Sequence, residues 1–150
     1  MLGPLVVLVG ETNPYGGDPW AALYDEPAYS AGGRLRRLVL GLPRQVYLGD
    51  DVARYNLCVG RWSASAARLE AARLLEAHPT PTVVLLGRKV ATAFARATTT
   101  APLAPFTRAG RLVAVPHPSG LCREWHSPEA VPRVRALLAE AVPGIPWGSA

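Results

Sequence analysis

Three short apolar runs constrain this chain more than anything else in it: "LVVLVG" at 5–10, "TVVLLG" at 82–87 and "RLVAVP" at 111–116. Each is continuous rather than alternating, the pattern of a strand buried on both faces of a parallel sheet, and each stops at a glycine or proline. A weaker fourth strand is expected over "RYNLCV", 54–59. Helical patterns fill the intervals at 31–42, with a further turn at 43–49, and at 63–78, 88–97 and 127–142. The second of these spaces Leu69, Ala72 and Leu75 three apart as an apolar face, and the third pairs Val90 with Phe94. The last opens with Ser127 as N-cap and Pro128 at the first helical position. It carries a stripe of Val131, Val134, Leu138 and Ala141, with Pro132 placed to kink it near its start. Strand–helix alternation predicts an α/β fold: a three-layer α/β/α sandwich around a central, mainly parallel four-stranded sheet, as one domain over 1–150.

Composition narrows the class. Apolar residues are 49% and charged residues 18% of the 150, a globular balance. No apolar run reaches the ~18 residues of a membrane span. The opening "MLGPLVVLVGE" lacks a basic leader and runs into a glycine-rich turn, so it reads as a first strand and a cytoplasmic setting is expected. Cys58 and Cys122 are the two cysteines. They are expected to be free thiols, and with the three histidines they show no zinc-ligand spacing, so no metal is expected. The net charge is +5, and of 16 basic residues only Lys89 is lysine. Arginine suits bidentate phosphate contacts, which points to nucleic acid, although arginine with abundant alanine also follows from genome composition.

Three polar stretches interrupt this frame, and each has a plain structural reading beside a functional one. "GETNPYGGDP" (10–19) is a strand-to-loop turn in the first reading. In the second, its glycines let backbone approach a ligand, with spacings that match neither a dinucleotide fingerprint nor a P-loop. "HPSGL" (117–121) places His117 directly after a strand, bonded to backbone or aimed at a substrate. Leu121 on its glycine turn either tucks into the core or is displayed. "REW" (123–125) adds a cation and an aromatic, suited to nucleic acid or to a surface cation–π pair. In "RYNLCVGRW" (54–62), Asn56 within an apolar stretch either satisfies backbone or reads an amide-like edge, donating and accepting together. In an open α/β sheet the carboxyl ends of the strands form the ligand crevice, where these stretches can converge.

Taken in this order, the stretches resemble the uracil-DNA glycosylase superfamily. Its first motif follows the first strand in forms such as G-Q-D-P-Y or G-I-N-P-G, here "TNPYG", 12–16. Its last is H-P-S-P-L or N-P-S-G-L, here the blend "HPSGL". The middle motif places an Asn after a central strand, here Asn56, and "VVLLGRKVATAF" looks like the family's penultimate strand and helix. The resemblance spans essentially the whole chain and blends the classical branch with the mismatch-specific uracil/thymine branch.

The resemblance implies a monofunctional DNA glycosylase that flips deoxyuridine, or a related damaged pyrimidine, out of DNA. It would hydrolyse the N-glycosidic bond, leaving an abasic site in base excision repair, with no cofactor. Asn13 would orient the attacking water but, as an amide, cannot take its proton. His117 would donate to O2 of the departing base. Asn56 would read N3–H and O4, and Tyr15 would crowd the pyrimidine 5-position. Gly10, Thr12 and Tyr24 would complete the base pocket, with Tyr24 or Trp20 stacking. Leu121 would be the wedge, while Ser119, Gly120 and Arg123 would hold phosphate. Glu11 is a nearby carboxylate, one residue out of register with the G-E-A-P-G branch when Pro14 is aligned. The expected partner is DNA containing uracil or a related base, with no membrane, no obligate protein partner and a monomeric chain. A catalytically weak uracil- or DNA-binding protein on the same fold is the alternative, and an enzyme acting on free nucleosides is a third reading that the basic charge and displayed leucine disfavour.

Overall fold

The computed structural model describes residues 3–13, 18 and 21–150. Two-sided burial produces three of the expected strands, β1 (Val6–Asn13), β3 (Thr82–Leu86) and β5 (Leu112–Val115), and the weaker fourth, β2 (Val52–Val59), is a half-buried edge strand. These four are all parallel. A fifth strand, β4 (Thr107–Ala109), turns about Gly110 at φ +58° and pairs antiparallel with β5. The sheet order is β2-β1-β3-β5-β4. It is therefore a mixed five-stranded sheet and not the four-stranded one expected. A three-residue edge strand with an exposed arginine offers too little apolar pattern to be read.

Alternation through the strands feeds two cores. Val6, Leu8, Val84, Leu86, Val113 and Val115 face one side of the sheet. They meet Leu35, Val39 and Leu40 of the first helical segment and Val134 and Leu138 of α5 (Ala130–Ala141). Val7, Val9, Val83 and Leu85 face the other side. There they meet α3 (Ala64–Ala77) and α4 (Arg88–Thr98). Each fully buried Val or Leu contributes about 1.5–3 kcal/mol.

Three helical expectations change. Residues 31–42 form a short α1 (Ala31–Arg34) that widens into a π-helical turn over Leu35–Leu40, and α2 is Arg44–Tyr47. Arg135 of α5 caps the end of the π segment, its Nε 2.9 Å from the Val39 carbonyl oxygen, and Gly41 follows at φ +59°. In α3 the buried face is Ala67, Ala71 and Leu74, while Leu69 is 65% exposed and Ala72 is also exposed. Alanines let α3 lie close to the sheet and α4, so the bulkier leucine periodicity marks the wrong side. Helix α5 begins at Ala130 with Glu129 as N-cap, two residues later than expected. Ser127 Oγ instead donates to Glu129 Oε2 at 2.6 Å. Pro132 consequently lies in the first turn, where a missing N–H costs nothing and no kink is required.

Residues 22–25, ahead of α1, are held against the sheet by buried and half-buried polar contacts. The Tyr47 hydroxyl donates to the Leu23 carbonyl at 2.6 Å, and Arg54 Nη1 donates to the Ala22 carbonyl at 3.2 Å. The fully buried Asp25 carboxylate pairs with Arg36 at 2.9 Å, whose N–H is not aligned for a hydrogen bond, and with Arg44 at 3.1 Å.

Burial holds the Tyr47 phenol well above its ordinary value near 10. The unfolded chain releases that proton above about pH 10 while the folded chain keeps it, so the contribution is complete below that pH and fades above it. Tyr47→Phe is expected to lower stability by about 1–2 kcal/mol at neutral pH, by stranding the Leu23 carbonyl. In urea titrations the gap between wild type and variant should narrow above pH 10. A gap that stays constant between pH 8 and pH 11 would contradict a desolvated phenol.

Candidate functional site at the carboxyl edge of the sheet

The site arises from a divergence of strands. β1 pairs with β3 only from Val6 to Val9, yet with β2 as far as Asn13 opposite Val59. Beyond Val9 and Leu85, β3 leaves through Gly87 into α4. β1 connects to one side of the sheet and β3 to the other, so this is a topological switch point, where open α/β sheets bind ligands. Glu11, Thr12 and Asn13 therefore belong to an extended β1, and not to a loop after it.

Towards β2, Asn13 and Asn56 line one cavity of about 290 Å³, together with Asp18, Tyr55, Glu70 and Arg73. Asn13 is only 4% exposed and its Nδ2 donates to the Asp18 carbonyl at 3.3 Å. Asn56 lies within β2, an edge strand, and not after a central strand as expected. Its register partner is Gly10. A Cβ on residue 10 would stand 2.5 Å from Asn56 Oδ1, so glycine there is what lets the amide lie across β1. Asn56 also borders a pocket of about 50 Å³ with Thr12, Leu23 and Tyr24. The Tyr24 hydroxyl accepts from Arg44 Nη2 at 2.8 Å.

Towards β3 and β5, a cavity of about 210 Å³ is lined by Glu11, Gly87, Arg88, His117, Cys122 and Glu124 among others. His117 follows β5 directly, between Pro116 and Pro118. The Ser119 amide donates to His117 Nδ1 at 3.1 Å. A neutral imidazole so held carries its proton on Nε2. Trp125 Nε1 donates to the His117 carbonyl at 2.6 Å and Arg34 Nε to the Pro118 carbonyl at 3.1 Å. Trp125 thus anchors the histidine turn, with its ring edge-on to Phe106, instead of serving as a displayed aromatic.

The rest of the turn displays Leu121. Its amide donates to Ser119 Oγ at 3.2 Å, the Cys122 amide donates to the Ser119 carbonyl at 3.1 Å, and the leucine is 92% exposed. Gly120 is exposed beside the Arg34 guanidinium, and Arg123 opens an exposed 3₁₀ turn, Arg123–His126. Cys122 Sγ donates to Glu124 Oε2 at 2.7 Å. Burial, ahead of that hydrogen bond, raises the thiol's pKa, and the same bond leads the lowering of the Glu124 carboxyl. The thiol is therefore protonated and a poor nucleophile.

The structure thus brings Asn13 to Asn56 and Gly10, Thr12 and Tyr24 to Asn56, and Ser119, Gly120 and Leu121 onto one turn with His117. Asn13 and His117 line different cavities. Tyr15 and Trp20 lie outside the described residues. Sequence reasoning did not foresee Glu11 beside His117, the Arg34 brace or the part played by Gly87. The signal for Gly87 was its place ending "TVVLLG"; nothing in the sequence signals Arg34.

Among the described residues no group of His, Cys, Asp and Glu could hold a metal ion, and no helix is long and apolar enough to cross a membrane. No family model, curated protein or solved structure matches the chain.

Gly87 adopts φ +102° and ψ 164°, a region essentially reserved for glycine. A Cβ there would stand 3.2 Å from His117 Cβ and 3.3 Å from Glu11 Oε2. Gly87→Ala is expected to cost about 2–3 kcal/mol in urea unfolding. Gly60→Ala, at φ +71° with nothing within 4 Å, should cost only about 1 kcal/mol. Equal losses would mean that the wall formed by Glu11 and His117 yields freely.

Proposed function

We propose that this chain is a monofunctional DNA glycosylase of the uracil-DNA glycosylase type, acting on deoxyuridine or a related damaged pyrimidine in DNA. The observation that carries the reading is the histidine turn. One five-residue segment holds an imidazole whose Nδ1 accepts from the Ser119 amide, which leaves Nε2 as its donor, and, four residues on, an almost fully exposed leucine. A small-molecule enzyme has no use for such a wedge, whereas base flipping does. The four parallel strands with helices on both faces, the crevice at their carboxyl ends and the net charge of +5 support the same reading.

In this reading water adds to C1′ of the sugar as the C1′–N1 bond breaks, and the bonding pair leaves with the base as an anion. His117 Nε2–H donates to the base O2, where that charge grows. The Asn56 amide reads the base edge across Gly10, accepting from N3–H and donating to O4. Asn13 orients water or base through its amide. Glu11 shares the cavity of His117 and is a carboxylate able to accept the proton that water loses, a role Asn13 cannot fill, while Glu124 in the same cavity is engaged by Cys122 and Arg88. Leu121 fills the space the base vacates. Ser119 Oγ, already accepting from Leu121, keeps its own proton to donate to phosphate.

Single-turnover base release tests this, with uracil placed in single strands, opposite guanine and opposite adenine, and with a thymine–guanine mismatch. Wild type should release uracil. His117→Ala should slow release by ~10²–10³. Glu11→Gln should slow it by ~10²–10⁴. Leu121→Ala should impair duplex substrates more than single strands. Tight DNA retention without release from any substrate would instead favour a binding protein on this fold.

A further inference from the structure

A second groove lies beside the site and takes no part in the chemistry above. It is a cavity of about 280 Å³ between the start of α3 and the outer side of α4, lined by Trp62, Arg88, Lys89, Thr92, Ala93 and Arg96 among others. Trp62 ends the β2–α3 connection, so it stands at the same carboxyl edge of the sheet. Arg88, Thr92 and Arg96 are spaced by four and make a stripe about 12 Å long down α4. Lys89 Nζ sits 5.8 Å from the centre of the Trp62 ring. No carboxylate is among the residues lining this groove, and Glu124 reaches Arg88 only from the His117 cavity, at 3.1 Å. Arg88 and Lys89 line both cavities, so the groove adjoins the candidate site.

We propose that this groove binds single-stranded DNA, with one unpaired base stacked on Trp62 and the flanking phosphates along Arg88, Lys89 and Arg96. Three features commit it to that occupant. The cations call for a polyanion, and a row of them spaced along a helix matches a chain of phosphates better than one isolated anion. The indole is recessed in a cavity that can enclose a base, and only an unpaired base offers its face; a duplex has none free. Lys89 is a flexible side chain that exchanges its ring contact for a phosphate as the base arrives. The inference rests on the glycosylase reading for its direction: a strand passing from the His117 cavity over the start of α4 enters this groove, and unpaired DNA is then the favoured form of substrate.

Fluorescence anisotropy with labelled, uracil-free oligonucleotides of about twelve nucleotides separates this from the chemistry. Each is measured as a single strand and as a duplex, over a range of salt. Trp62→Ala should weaken single-strand binding about tenfold and duplex binding far less. Trp62→Phe should retain most of the affinity, since a ring remains. Arg96→Gln, at an exposed position, should reduce the slope of log K against log salt by about 0.7. Single-strand affinity unchanged in both Trp62→Ala and Arg96→Gln would overturn the proposal, as would equal losses on single strand and duplex. If wild type releases no uracil but the variants lose single-strand binding as described, the groove stands and the glycosylase reading falls. Uracil release by wild type with normal binding by the variants is the reverse case.

Discussion

The parting of β1 from β3 is the constraint on which the rest of the molecule depends. Through Val9 the two strands share a hydrogen-bonded ladder buried between two cores. One residue later the ladder continues only with β2. A strand that loses one neighbour must expose polar backbone along that side or place something against it. Here the adjacent space holds Glu11, the Gly87 turn and the imidazole of His117. The crevice is thus a consequence of strand order, since β1 and β3 send their connections in opposite directions.

Around that crevice the supporting contacts are chiefly hydrogen bonds to main-chain carbonyls. Trp125 and Arg34 each hold one carbonyl of the histidine turn, and Tyr47 and Arg54 hold carbonyls of the loop that carries Tyr24. Such bonds fix backbone position without requiring a particular neighbour side chain. They leave the side chains of His117 and Leu121 positioned by their own local geometry, while Arg44 holds the Tyr24 hydroxyl. Rigid support beneath displayed groups is what a site needs when its substrate must be forced into an unfavourable conformation.

Much of this was legible in the sequence, and the omissions share a physical cause. The buried strands announced themselves because two-sided burial demands uninterrupted apolar runs, and Asn13, Asn56 and His117 stood out as polar groups against or beside those runs. The pairing of Gly10 with Asn56 did not, because register between strands is a tertiary quantity that neither segment encodes alone. The same holds for Glu11 facing His117, which are over a hundred positions apart in the chain. Helix α3 misled for another reason: its tight packing is achieved by alanines, whose small size carries little hydrophobic signal, while Leu69 is left on the outside. The π-helical turn after α1 and the three-residue β4 have no pattern long enough to read.

Lys89 stands at the first turn of α4, between the two cavities, and no other lysine occurs in the sequence. A chain so rich in arginine is almost blank to chemistry directed at side-chain amines, and the single such amine lies where both openings meet. Apart from the main-chain terminal amine, an amine-selective label or crosslinker would therefore report on this one place without any engineered residue. The same economy makes the region vulnerable: acylation of one side chain, by reagent or by a cell, would remove the lysine charge shared by the two openings and leave every arginine intact.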